Sequence, residues 1–210
     1  MPAVSGYRTL DVLYQGPRVT VYRAVRIADE TSVILKCLER PRDGSSDLAR
    51  FRREYEIARR LNGPGIARVL TIEPGSRGPA LVMADCGGIS LAHQPHRPGL
   101  KDVLRIGAAV AGALGRVHAG HVIHKDVNPA NIIWNPDSGA VELIDFSIAA
   151  ELSRETSPSD IDQLEGTLAY IAPEQTGRMN RSLDWRCDFY SLGAALYKSL
   201  SNDWEKVISP

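Results

Sequence analysis

A chain of 210 residues, 43% of them hydrophobic, is long enough for one large domain or two lobes around a buried core. Lys plus Arg and Asp plus Glu number 25 each, so no net field steers the protein toward nucleic acid or an acidic membrane surface, and neither is expected as a partner. The three cysteines, Cys37, Cys86 and Cys187, form no CxxC pair, which excludes a disulfide framework and a zinc knuckle and predicts free buried thiols.

In chain order, "MPAVSGYRTL" lacks the basic start and apolar stretch of a signal peptide, and no run reaches the roughly 18 apolar residues of a membrane span. A cytoplasmic protein is expected. "RVTVYRAVRI" (18–27) and "TSVILKCLE" (31–39) alternate β-branched and polar residues around "ADE" and predict a hairpin. Leu48, Phe51, Tyr55, Ala58 and Leu61 form a helical stripe that "NGPG" (62–65) stops. The arginines of "ARFRREYEIARR" alternate with glutamates and read as a solvated helix face. "ARVLTI" and "PALVMAD" (79–85) predict two more strands, and "CGGISLAHQPHRPG" predicts a connector and the boundary between segments 1–86 and 87–210. Val103, Ile106, Val110, Ala113 and Val117 mark a long amphipathic helix ending at Gly120. "IIWN" and "VELIDF" (141–146) read as short strands around "PDSG", Ser153 to Glu165 as a mobile polar loop, and 188–200 as the last helix.

Between the long helix and those strands lies "HVIHKDVNPAN" (121–131). By itself, an Asp five residues before an Asn is a weak signal, equally at home where Asp126 and Asn128 cap backbone groups. The remainder of the pattern is more specific. "LIDFS" places Asp145 14 residues after Asn131, "APE" ends at Glu174 29 residues later, and "VILK" puts Lys36 on a strand 18 residues before Glu54.

In that order these pieces resemble the eukaryotic-type (Hanks-type) Ser/Thr protein kinases, whose signature is a strand lysine, a helix glutamate, HRD with a trailing Asn, DFG and APE. "LEGTLAYIAPEQTGRMNR" and "HKDVNPANI" are most similar to the kinase domain that opens large bacterial hybrid proteins, which continue into an ATPase module and a sensor histidine kinase. The resemblance implies an α+β bilobal fold, with a small β-rich N-lobe bearing one helix (1–86) and a mainly helical C-lobe (87–210). It implies ATP and Mg²⁺ as cofactors and a protein Ser/Thr hydroxyl as substrate, with Thr167 in "GTLAY" fitting the Ser/Thr pattern rather than the Tyr one.

By the same resemblance, Lys36 holds the ATP phosphates and Glu54 fixes its ammonium; Glu56 is the solvated alternative in "RREYEI", since Glu54 sits beside the stripe of Phe51 and Tyr55. Gly16, Val21, Ile34, Met83, Ala84, Asp85 and Cys86 belong to the ATP pocket, Met83 as gatekeeper and 84–86 as hinge. Asp126 accepts the proton of the substrate hydroxyl, Asn131 and Asp145 supply oxygen ligands to Mg²⁺, and Asn128 takes the place of a lysine that touches the γ-phosphate. His118, His121 and His124 lie on a helix end, a loop and a strand, a poor platform for zinc, and His124 is expected to pack beside Phe146.

Several positions depart from the family pattern. The glycine loop falls on "YQGPRV" (14–19), where Gly16 alone remains and Pro17 removes an N–H donor. Lys125 replaces the Arg that pairs with a phosphorylated activation loop, and Ser147 the DFG glycine. The chain ends ten residues after Leu200, where the resemblance implies further helices and an arginine for Glu174, so an incomplete C-lobe needing a partner chain or a C-terminal region is expected. Thr156, Ser157, Ser159 and Thr167 lie where activation-segment phosphorylation would fall. Two other classes stay open: a nucleotide-binding pseudokinase acting as a regulatory module, and a small-molecule phosphotransferase, against which "GTLAYIAPE" counts.

Overall fold

The computed structural model describes residues 3–41, 46–61, 63–151, 168–176 and 183–201. By internal contacts the chain divides into two compact units, Met1–Asn62 with Ala67–Gly87, and Gly63–Ile66 with Gly88–Pro210. Residues 63–66 lie within the first segment of the sequence division but pack with the second unit, because Leu143 donates its amide to the Gly65 carbonyl (2.8 Å) and Ile66 bridges to Leu143.

The first unit is a five-stranded antiparallel sheet in the order β1-β2-β3-β5-β4, with β1 Tyr7–Gln15, β2 Val19–Arg26, β3 Thr31–Leu38, β4 Val69–Pro74 and β5 Pro79–Ala84. The near-continuous apolar run of β3 follows from its central place, since both of its faces are covered. Val33, Leu35 and Cys37 face a core shared with Val4, Tyr7, Ala24, Ala80 and Val82. Leu38 faces the opposite way, where Leu81 and Phe51 close a second cluster beneath helix α1, Ser46–Arg60. Phe51, Glu54, Ile57 and Ala58 are the buried residues of α1, the three-to-four spacing of one helical face.

β1, which the hairpin pattern of 18–39 left unassigned, is the sheet's edge: all of it beyond Tyr7 is exposed. Its register slips between Thr9 and Asp11 and between Val12 and Tyr14, and such bulges twist an edge away from further pairing.

In the second unit, helix α2 (Leu100–Ala119) buries Val103, Ile106, Gly107, Val110, Ala113, Leu114 and Val117, the expected stripe. Gly120 closes it, its amide donating to the carbonyls of Arg116 and Val117. Helix α3 (Arg186–Leu200) crosses α2 so closely at Gly107 that a Cβ there would stand 2.8 Å from Leu196 Cδ1. Short strands complete the unit: β6 Ile89–Ser90, β8 Ile132–Trp134 and β9 Val141–Leu143 form one sheet, and β7 Val122–Ile123 pairs with β10 Ala150–Glu151.

Two expectations are revised by tertiary geometry. The connector 86–99 contains β6 and a 3-10 turn, Leu91–His93, because Ile89 pairs with Trp134, a residue far along the chain. The strand expected over 141–146 stops at Leu143, since Asp145 has φ 67° and cannot extend a β-ladder. The polar stretch 153–165, with Thr156, Ser157, Ser159 and Thr167, lies outside the described residues. Among the described residues no helix is long and apolar enough to cross a membrane.

One buried carboxylate fastens the exit of β5 to the neighbouring strands. Asp85 accepts from Arg23 Nε of β2 (2.8 Å), Ser32 Oγ of β3 (2.8 Å) and the Gly87 amide (2.8 Å). Burial pushes its pKa up, but the donors of Ser32, Gly87 and Arg23 together outweigh burial and hold it below the ordinary carboxylate value. A folded pKa below the unfolded one stabilises the protein above the unfolded value of about 4 and ceases to do so as pH falls through the folded value. Asp85→Asn is therefore expected to cost about 2 kcal/mol near neutral pH, with the gap in Tm to the wild type narrowing in acid. A gap of constant size down to the acid limit of folding would contradict this role.

Candidate active site

In the first unit, Lys36 Nζ lies 2.7 and 2.9 Å from the two carboxylate oxygens of Glu54, with both side chains nearly buried (11% and 5% exposed). The structure thus selects Glu54 over Glu56, which faces solvent on α1. Cross-strand partners share a face, so the register Val21↔Lys36, Arg23↔Ile34 and Ile34↔Met83 places Val21, Ile34, Lys36 and Met83 together on one face of the sheet. Four residues expected around one ligand are therefore grouped by register alone.

The hinge expectation is narrowed. The Ala84 amide donates to the Arg68 carbonyl (2.9 Å), so of its backbone groups only the carbonyl could meet a ligand. Asp85 anchors the strand end through its side chain. Cys86 is half-buried, unlike Cys37 and Cys187, so the expectation of three buried thiols holds for two. Burial, and then Glu39, pushes the Cys37 thiol up to about 11; burial followed by the Asp188 charge pushes Cys187 further in the same direction.

In the second unit, "HKDVNPAN" folds as a tight loop between β7 and β8 with a 3-10 turn at Pro129–Asn131. Asn131 Nδ2 donates to Asp126 Oδ2 (2.8 Å) and to the Asp126 carbonyl (2.9 Å). Asn128 caps the 3-10 turn, its Oδ1 accepting the amides of Ala130 (2.8 Å) and Asn131 (3.3 Å), while its Nδ2 donates to Asp126 Oδ1 (2.8 Å). Each carboxylate oxygen of Asp126 is thus held by one amide. Asn128 Nδ2 also stands 3.4 Å from the Asp126 carbonyl, so its amide group is turned into the loop at both ends.

Asp145 has φ 67° and accepts the Ser147 amide (3.1 Å). Ser147 is not among the residues of positive φ, so its backbone does not need the freedom of the glycine it replaces. Glu174 sits in a 3-10 turn, Pro173–Thr176. Arg186 is held by Asp184 (Nε–Oδ1 3.0 Å) and feels the charge of Glu174 as a weaker additional field. Thr167 lies outside the described residues.

Asp188, to which no sequence motif points, shapes this loop. Fully buried at the start of α3, it accepts the amides of His124 (2.9 Å) and Lys125 (2.8 Å), and His118 Nε2 lies 2.8 Å away. Lys125 has φ 70°, a conformation costing a non-glycine residue about 1–2 kcal/mol. It persists because the residue is pinned twice: its amide by Asp188, and its carbonyl by Gln175 Nε2 (3.0 Å). His124 packs beside Phe146 as expected, the rings tilted by 60° with centroids 4.8 Å apart, and its Nε2 meets the Ile144 carbonyl (3.0 Å). A carboxylate on the face of a helix that must be buried was the available signal for Asp188.

A two-unit chain with a lysine-glutamate pair on a β-sheet and an Asp/Asn loop after a long helix has the architecture of a protein kinase, and residues 7–204 match the protein kinase domain; the chain belongs to that family. Its relatives include the serine/threonine-protein kinase PknB of Mycobacterium leprae, 34% identical over 94% of this chain and 32% of the relative. The DNA damage-responsive serine/threonine-protein kinase RqkA of Deinococcus radiodurans is 34% identical over 91% of this chain and 29% of its own length. The probable serine/threonine-protein kinase pknA2 of Bifidobacterium longum is 30% identical over 93% and 26%. The chain thus spans about a third or less of these relatives. Protein kinases in general use ATP and Mg²⁺.

Asp188→Ala removes the acceptor of two buried amides and a histidine at once, and is expected to cost at least about 3 kcal/mol in urea unfolding. Asp188→Asn, which keeps one acceptor oxygen, should recover part of the loss. Equal stability of Asp188→Ala and the wild type would refute the anchoring role.

Proposed function

We propose that the chain is an ATP-dependent protein serine/threonine kinase domain, transferring the γ-phosphate of ATP to a protein hydroxyl in bacterial signalling. The observation that carries this reading is the Lys36–Glu54 pair. Taking two charges out of water is a poor way to gain stability, whereas an ammonium held rigid on the face shared by Val21, Ile34 and Met83 suits a nucleotide phosphate. The relatives, all named as serine/threonine-protein kinases, support the same class.

On this reading the first unit is the N-lobe and the second the C-lobe of the kinase. Lys36 binds the phosphates and Glu54 orients it. Met83, the Ala84 carbonyl and Cys86 back the adenine. Asp126 orients the attacking hydroxyl and accepts its proton, its two oxygens set by Asn128 and Asn131. With its Nδ2 turned to both the carboxylate and the carbonyl of Asp126, Asn128 contributes to the position of Asp126. Asp145 and Asn131 fit Mg²⁺: one offers a carboxylate, and the other turns its nitrogen to Asp126, leaving its oxygen for a hard cation. Bound there, Mg²⁺ would neutralise charge on the phosphates. Thr167 and Glu174 belong to the segment that receives the protein substrate, and a cytoplasmic location accords with ATP as the phosphate donor.

Thermal unfolding with and without MgATP, combined with radiolabelled phosphate transfer to a generic protein substrate, tests the reading. Stabilisation with transfer is expected; stabilisation without transfer would make the chain a nucleotide-binding pseudokinase. Asp145→Asn is expected to abolish the Mg²⁺-dependent part of the stabilisation. Asp126→Asn should keep it while lowering transfer by about 10²- to 10⁴-fold. Alkylation should reach Cys86 before Cys37 and Cys187, and MgATP should slow it; a rate indifferent to nucleotide would remove Cys86 from the adenine site.

A further inference from the structure

The β1–β2 turn offers almost no backbone to a phosphate. The Gly16 amide is spent on the Val19 carbonyl (2.9 Å), and Pro17 has none. Gly16 is also covered: a Cβ built on it would stand 2.6 Å from Tyr14 Oη and 2.9 Å from Tyr14 Cε1, so the phenol occupies the approach that a bare glycine would leave open. The exposed Tyr14 side chain lies over the glycine, and neither Gly16 nor Pro17 supplies a free amide to a phosphate cradle.

What this turn offers instead is a cation. Arg18 is exposed at its tip and pairs with Asp47 in the first turn of α1 (Nη1–Oδ1 3.0 Å), Arg18 being 57% and Asp47 30% exposed. The Arg18 carbonyl is fixed by the Glu39 amide (2.8 Å), so the backbone at this position is held, while among the described residues the guanidinium pairs with Asp47 alone, an exposed and weak type of contact. Arg18 and Lys36 both reach the same helix, while Arg23, on the face of Lys36, is held by Asp85. Arg18 meets Asp47 and Lys36 meets Glu54, and a separation of seven residues puts the two carboxylates on one stripe of α1, about 10 Å apart.

We propose that Arg18 is the phosphate-contacting group of the β1–β2 turn, leaving Asp47 to bind the terminal phosphates of a nucleoside triphosphate in place of the missing backbone amides. The inference rests on the kinase reading of Lys36. A guanidinium presents a fork of donors matched to phosphate oxygens, and the exchange trades an exposed carboxylate partner for a more highly charged one. Asp47 then acts as a competitor for Arg18, and its removal strengthens binding rather than weakening it.

Calorimetric titration of the wild type, Arg18→Ala, Asp47→Asn and Lys36→Ala with MgATP and with adenosine tests this. Arg18→Ala is expected to weaken MgATP about tenfold and leave adenosine unchanged, while Asp47→Asn tightens MgATP about two- to threefold. The opposite signs separate a ligand contact from a strut, because a pair that merely props the turn would make both substitutions weaken binding. Weakening by both, or Arg18→Ala within twofold of the wild type while Lys36→Ala loses MgATP, overturns the proposal and leaves the kinase reading standing. A wild type that binds no MgATP overturns both.

Discussion

A carboxylate withdrawn from water must be answered by donors, and this one constraint organises both units. Glu54 is answered by Lys36, which ties α1 to the central strand. Asp85 is answered from three directions and fixes where β5 ends. Asp188, with no exposure at all, gathers two consecutive backbone amides and a histidine, and so determines the path of the chain immediately before Asp126. Each acid is costly alone and is stable only because residues distant in sequence converge on it.

The same logic explains how the loop at 124–131 tolerates strain. Lys125 and Asp145 both adopt a left-handed backbone, which an L-residue does not adopt freely. At Lys125 an acceptor of α3 and a donor of the Pro173–Thr176 turn hold both ends of the residue, so relaxing the backbone would break two partly buried hydrogen bonds. The backbone leading into Asp126 is thereby set by elements that make no hydrogen bond to Asp126 itself.

Asn128 shows how a substitution can change the task of a position. A lysine there would project a charge; the asparagine turns inward, caps the 3-10 turn with its oxygen and steadies Asp126 with its nitrogen. The loop gains order where a charge would have been carried. The β1–β2 turn departs differently: its Gly16 amide is spent on Val19, Pro17 has no N–H, and Arg18 stands at its tip.

Much of this was legible in the sequence because it is local. The α2 stripe, the β2–β3 hairpin and the α1 stripe that singled out Glu54 are periodicities, and a periodicity reports which face will be buried. The order of Lys36, Glu54, Asp126, Asn131, Asp145 and Glu174 identified the family, because so many spaced residue types do not coincide by chance. What the sequence left open depends on contacts across long stretches of chain. Asp188 reads as an ordinary helix-start acid until His118, His124 and Lys125 close around it. Asn128 reads as a side chain in place of a lysine, and its turn inward onto Asp126 and Ala130 is visible only in three dimensions. β6 exists only because Trp134 supplies a partner, and the strand at 141 ends early because Asp145 is held out of the extended conformation. Local pattern determined the elements and the cast of residues, whereas the roles of Asp188, Asn128 and Asp85 were decided by which groups the tertiary structure brings within hydrogen-bonding distance of them.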